Sequence, residues 1–148
     1  MVFIKNFESA LQNIAQNNSL ILVDDFELKI STTKWSKKEI LGHLIDSAIN
    51  NIQRFTEIQY FEKPYVIRKY QQDELVQFNN YQNKNSDDLI NLWLQLNSHI
   101  LYLINNQTKE TLSYQIILPN GEMSNFKFLI EDYLDHLFYH LKQINHES

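Results

Sequence analysis

Apolar residues recur every three to four positions in four separate stretches of this chain, and between the stretches that rhythm breaks. In the first, Phe3, Phe7, Leu11 and Ile14 share one side of a helix over about residues 3–16, ended by Asn17 and Asn18. In the second, Leu41, Leu44, Ile45, Ala48, Ile52 and Phe55 form the buried stripe of a helix that stops near Phe61, before Pro64. Ser36 and Glu39 stand ahead of it at capping-box spacing, where each side chain satisfies a backbone N–H left unpaired by the first turn. The third stripe, Leu89, Leu92, Trp93, Leu96, Ile100 and Leu103, predicts a helix capped by Ser86 and ending near Asn105 and Asn106. Asp87 and Asp88 suit the positive end of its dipole. The fourth, capped by Ser124, carries Phe128, Leu129, Tyr133, Leu137, Leu141 and Ile144.

Residues 63–85 are a polar connection rich in Tyr and Gln. Residues 114–118 read as a strand and 119–122 as a turn, so a small β-hairpin is expected before the last helix. Two glycines and two prolines in 148 residues favour long helices over a sheet with many turns. The expectation is a single all-α domain over residues 1–148, built as a four-helix bundle. Its long second connection implies that the helices are not all joined as adjacent antiparallel neighbours.

Composition narrows the function classes. The net charge of −5, with Lys and Arg scattered, lacks the basic patch of a nucleic-acid binder. The absence of cysteine removes disulfides, thiolate metal sites and a cysteine nucleophile. No run approaches the roughly 18–20 apolar residues of a membrane span, and the N-terminus lacks a signal-peptide pattern. These features predict a cytoplasmic protein without nucleic-acid or membrane partners.

Three histidines carry the candidate chemistry. His136 and His140 stand four apart in the fourth helix, so both imidazoles leave one face, and Asp132 extends that polar strip by one turn. On the second helix, His43 shares a face with Ser47, Asn50 and Arg54. If the two strips meet, three neutral imidazoles can hold zinc or a similar divalent ion and leave coordination positions open. Such an ion lowers the pKa of a water to about 7 or holds a thiol as thiolate. Asp46, Asp132 and Asp135 are candidate acceptors for the remaining imidazole N–H groups. His99 and His146 have no partner at ligand spacing. A di-iron carboxylate site is disfavoured, because its paired Glu-x-x-His motifs are missing.

The run from Trp35 to Ala48, centred on Gly42-His43-Leu44-Ile45-Asp46-Ser47 and followed by Asn51, Arg54 and Phe55, closely resembles the first block of the DinB/YfiT-like superfamily. The run from Asp132 to Ile144, containing Asp135-His136-Leu137-Phe138-Tyr139-His140, resembles its terminal block. The resemblance spans essentially the whole chain. It implies an up-up-down-down bundle, often a homodimer, with one nickel or zinc ion held by His43, His136 and His140. It also implies a small-molecule substrate: relatives include low-molecular-weight thiol transferases, a mycothiol-dependent isomerase and metal-dependent hydrolases. Thiol transfer to an electrophile is the preferred expectation, with hydrolysis and a non-catalytic dimerisation module as alternatives. Arg54 is a candidate partner for a substrate carboxylate through its forked donors. Tyr70 and Asp73 are candidates because they lie in the long connection, and loops of that length are often functional.

Overall fold

The computed structural model describes residues 2–17 and 23–145, so Asn18 and His146 lie outside the described residues. The helices are α1 (Val2–Asn17), α2 (Lys37–Glu57), α3 (Gln72–Phe78), α4 (Ser86–Asn105), α5 (Lys109–Leu112) and α6 (Phe126–Asn145). The four long ones, α1, α2, α4 and α6, correspond to the four apolar stripes and form a four-helix bundle. No helix among the described residues is long and apolar enough to cross a membrane.

The capping box at the start of α2 forms as expected. Ser36 Oγ accepts from the Glu39 N–H at 3.0 Å, and Glu39 Oε1 accepts from the Ser36 N–H at 3.1 Å. The other two caps fall one residue from their expected places. Asn85, not Ser86, caps α4 by accepting from the Asp88 N–H at 3.0 Å. Asn125, not Ser124, accepts from the Phe128 N–H at 2.9 Å. Asn and Ser cap almost equally well, so an adjacent pair does not declare which one does so.

The core lies between the stripes. Phe7, Leu41, Phe55, Trp93, Ile100, Phe126 and Ile144 are fully or almost fully buried. Leu92 and Phe128, counted in the expected stripes, instead face solvent.

The hairpin forms from β2 (Gln115–Ile117) and β3 (Met123–Asn125), with Ile116 opposite Ser124. Gly121 takes φ 87 in the turn, a conformation that favours glycine. The long connection adds a third strand, β1 (Tyr65–Val66), which pairs in parallel with β2. It then continues through α3 and a short 3-10 turn at Tyr81–Asn83.

Helix direction corrects one expectation. Phe55, near the end of α2, packs on Phe126 at the start of α6, with ring centroids 5.5 Å apart. His43, near the start of α2, lies 4.9 Å from the His140 ring near the end of α6, so these two helices are antiparallel. By contrast, the Glu27 carboxylate accepts from Lys38 in the first turn of α2 and from Ser86 in the first turn of α4. α2 and α4 therefore start at the same end and run side by side in one direction, not in the opposite directions that an up-up-down-down order requires. The physical reason is the intervening connection, which brings the chain back to the end where α2 began.

Candidate metal centre

The capping box fixes where α2 begins and therefore which side His43 faces. Its predecessor, Gly42, lies against the Tyr81 ring so closely that a Cβ there would come within 2.3 Å of it. Tyr81 OH in turn donates to Asp46 Oδ1 at 2.5 Å, and Asn79 donates to the same oxygen at 3.0 Å. The long connection is thereby clamped along α2, and His43 is left 1% exposed. From α6, His136 and His140 approach from the other side, each partly buried.

The three imidazoles meet. His43 Nε2 lies 3.0 Å from His136 Nε2, and one potential ligand atom from each of the three residues lies within 4.8 Å of the others. The ring planes cross at 82°, 81° and 80°. A ring nitrogen lone pair lies in its ring plane, and three nearly perpendicular planes share one point, so all three lone pairs can be aimed at a single centre. A tetrahedral ion with nitrogens at about 2.0–2.1 Å places neighbouring nitrogens roughly 3.4 Å apart, against 3.0 Å between His43 and His136 Nε2 and no more than 4.8 Å among the three ligand atoms here.

Protonation favours the same use. Burial, reinforced by the neighbouring imidazoles, lowers the His43 pKa to about 3. Burial and His140 lower that of His136 to about 4. Both rings are therefore neutral at pH 7 and keep a free lone pair. His140 Nδ1 pairs with Gln143 Oε1 at 2.7 Å, and because an amide oxygen only accepts, this nitrogen carries the proton and Nε2 is the free one. His43 Nδ1 is buried without a partner, so this imidazole sits in the interior only half satisfied. The donor set and geometry suit a divalent ion.

A small cavity of about 170 Å³ adjoins His136, lined also by Ser47, Asn51, Arg54, Tyr70, Asp132 and Tyr133. The Arg54 guanidinium lies over the Tyr70 ring, 5.3 Å from its centroid, and donates to the Arg68 carbonyl at 2.6 Å. Burial lowers the Arg54 pKa, while nearby Tyr70, Tyr65 and Asp132 oppose that shift. Burial raises the pKa of Asp132, and the neighbouring Asp135 charge adds to the rise.

Among solved structures, YfiT from Bacillus subtilis, described as a probable metal-dependent hydrolase with an unusual four-helix bundle topology, superimposes with a TM-score of 0.79. The match is 17% identical and covers 96% of this chain and 81% of that one. The chain has the DinB/YfiT-like fold. A mutant of the mycothiol-dependent maleylpyruvate isomerase gives a TM-score of 0.73 at 13% identity over 99% of this chain. A second structure of that isomerase gives 0.69 at 15% over 93%. The chain spans only 60% and 57% of these two isomerase chains. No family model and no curated protein sequence matches the chain significantly.

Within this DinB/YfiT-like bundle, the sequence candidates separate. His43, His136 and His140 come together, and Arg54, Tyr70 and Asp132 line the adjoining cavity. Asp46 makes no hydrogen bond to an imidazole: its Oδ1 accepts from Tyr81 and Asn79, and its Oδ2 is buried without a partner. Asp73 is exposed on α3, away from the cavity lining. Asp135 is exposed, and His99 is exposed with its ring stacked against Tyr102. Two participants were not singled out from sequence: Gln143 on His140, and Trp35, whose ring lies 5.0 Å from that of His43. Gln143 sits three residues after His140 and so shares its face of the helix. That spacing is the available signal, although carboxylates are common as partners of a ligand imidazole.

Proposed function

We propose that this chain is a divalent-metal-dependent enzyme of the DinB/YfiT-like type, with His43, His136 and His140 as the ligands of one nickel or zinc ion. We further propose that it transfers a low-molecular-weight thiol to an electrophilic small molecule. The observation that carries the reading is the convergence of three imidazoles beside a cavity holding Arg54. Bound there, the ion would hold a thiol as thiolate near neutral pH. Gln143 fixes the tautomer of His140, leaving its Nε2 free. Arg54, braced by the Arg68 carbonyl, Asn51 and Tyr70, would orient a substrate carboxylate with its remaining donors. Tyr70 and Tyr133 line the same small cavity.

Hydrolysis is the second reading, favoured by Asp132. Its carboxyl lines the same cavity as His136 and has a raised pKa, which suits acceptance of a proton from an attacking water. Both readings draw support from the folds shared with a described hydrolase and a thiol-dependent isomerase.

The test begins with elemental analysis of wild-type protein and the His43→Ala and His136→Ala variants, purified without chelator. Equal metal content in all three would overturn the ligand assignment. A thiol panel with monobromobimane, followed by an ester panel, then separates the chemistries. Saturation by one thiol, lost in His140→Ala, supports transfer; ester turnover without thiol supports hydrolysis.

A further inference from the structure

Beyond His140, toward the C-terminal end of α6, a groove of about 770 Å³ opens beside the segment leading into α2. Leu28, Ile30, Trp35, Ile40 and Tyr139 give it an apolar lining. Leu28, Ile30 and Tyr139 are 53%, 68% and 61% exposed, so this is apolar surface presented to water, as in binding sites. Lys34, Lys37 and Lys142 also line it, in a chain whose net charge is −5. Among the described residues none of these three lysines forms a salt bridge. Two carboxylates, Asp24 and Asp25, are present as well, leaving the amines in excess by one.

The groove is joined to the histidines through shared walls. Trp35 lies against His43, Tyr139 has its ring 5.1 Å from that of His140, and Gln143 accepts from His140 Nδ1. We propose that this groove is a second ligand site, for a small organic anion with an apolar body, and that Gln143 transmits its occupancy to His140. An anion accepting a hydrogen bond from the Gln143 amide nitrogen polarises that amide and makes its oxygen a stronger acceptor. The His140 ring then becomes a better electron donor through Nε2. Binding in the groove and ion binding therefore favour each other, by the same factor in each direction. The groove itself stands without the metal reading; the coupling rests on it.

Anilinonaphthalene sulfonate, an aromatic body with one negative charge, serves as the probe, read by its own fluorescence. The expected result is one-to-one binding that weakens about tenfold or more in a Lys34→Glu/Lys142→Glu variant. Zinc should tighten probe binding about threefold or more in wild-type protein, and this gain should vanish in Gln143→Leu. Binding unaffected by the lysine changes, binding at several equivalent sites, or a dimer by sedimentation that excludes the probe each overturns the groove assignment. A zinc effect that persists in Gln143→Leu, or is absent in wild-type protein with one zinc bound, overturns the coupling. A separate zinc titration by chelator competition shows whether the triad reading itself has failed, because that failure leaves the lysine-dependent probe binding intact.

Discussion

His43 and His136 present their Nε2 atoms to each other at 3.0 Å across 93 positions of sequence. One of these nitrogens must carry the proton between them, and a bound ion takes that proton's place. His43 also holds an unpartnered Nδ1 in the interior. Replacing this ring by an apolar side chain of similar size relieves the unpartnered Nδ1 but leaves His136 Nε2 without its partner. His43→Leu should therefore lower metal-free stability at pH 7 by no more than about 1–3 kcal/mol. With zinc at a hundred times its Kd, the wild-type protein should gain about 2.7 kcal/mol and the variant nothing. Urea unfolding with EDTA and with zinc measures both numbers. An equal gain in the variant would remove His43 from the ligand set.

The metal-free protein should lose stability as pH falls below about 6.5. His43 and His136 have folded pKa values near 3 and 4, below the ordinary 6.5. Above 6.5 both states are neutral at these positions and nothing changes. Between 6.5 and about 4 the unfolded chain takes up protons that the folded chain refuses, so unfolding is favoured. The limiting slope is about 1.4 kcal/mol per pH unit for each histidine. Asp46 and Asp132, with pKa values raised above the ordinary 3.8, act in the opposite sense within the lower part of that window. Comparing wild type with His43→Leu in EDTA isolates one histidine, and parallel stability profiles from pH 6.5 to 4 would refute its lowered pKa.

The readable parts of the fold were those in which one local rule governed many residues. Four apolar stripes gave four long helices, and Ser36 with Glu39 gave the start of α2, because period and cap are properties of neighbouring positions. The two-residue strand β1 was not readable, since its parallel partner is Ile116 and Ile117, some fifty residues on, and two residues show no alternation. The surroundings of Asp46 are unreadable for a related reason: one turn after His43 it is close in sequence, yet Tyr81 and Asn79 arrive from the long connection and donate to its Oδ1. His136 and His140 share a helix face by spacing alone. That His43 meets them depends on α2 and α6 being antiparallel and correctly rotated, which the pattern of one helix cannot specify.

Gly42 should be intolerant of even one added carbon. A Cβ there would meet Tyr81 Cδ2, Cγ and Cβ at 2.3, 2.5 and 2.8 Å. The ring cannot swing away freely, because its hydroxyl is tied to Asp46. Gly42→Ala should cost about 1–3 kcal/mol despite alanine's better helix propensity. Tyr81→Ala should be destabilising alone, yet the double variant should be more stable than the sum of the two losses predicts. Additive losses in a denaturation cycle would mean that the close approach is not the cause.

Arg54→Lys preserves the charge in the small cavity and so separates charge from shape. The guanidinium is held by contacts a lysine cannot reproduce together: its place over the Tyr70 ring and a fork that donates to the Arg68 carbonyl and to Asn51 Oδ1. A lysine amine is more strongly hydrated and loses more freedom when fixed. If Arg54 orients a substrate carboxylate, Arg54→Lys should weaken binding of small carboxylates about tenfold, or about 1.4 kcal/mol. Arg54→Ala should weaken it further, while zinc content stays unchanged in both. Line broadening across a panel of small carboxylates added to the zinc-loaded protein provides the measurement. Equal affinities for wild type and Arg54→Lys would show that charge alone suffices, and unchanged affinity in Arg54→Ala would move the carboxylate site elsewhere.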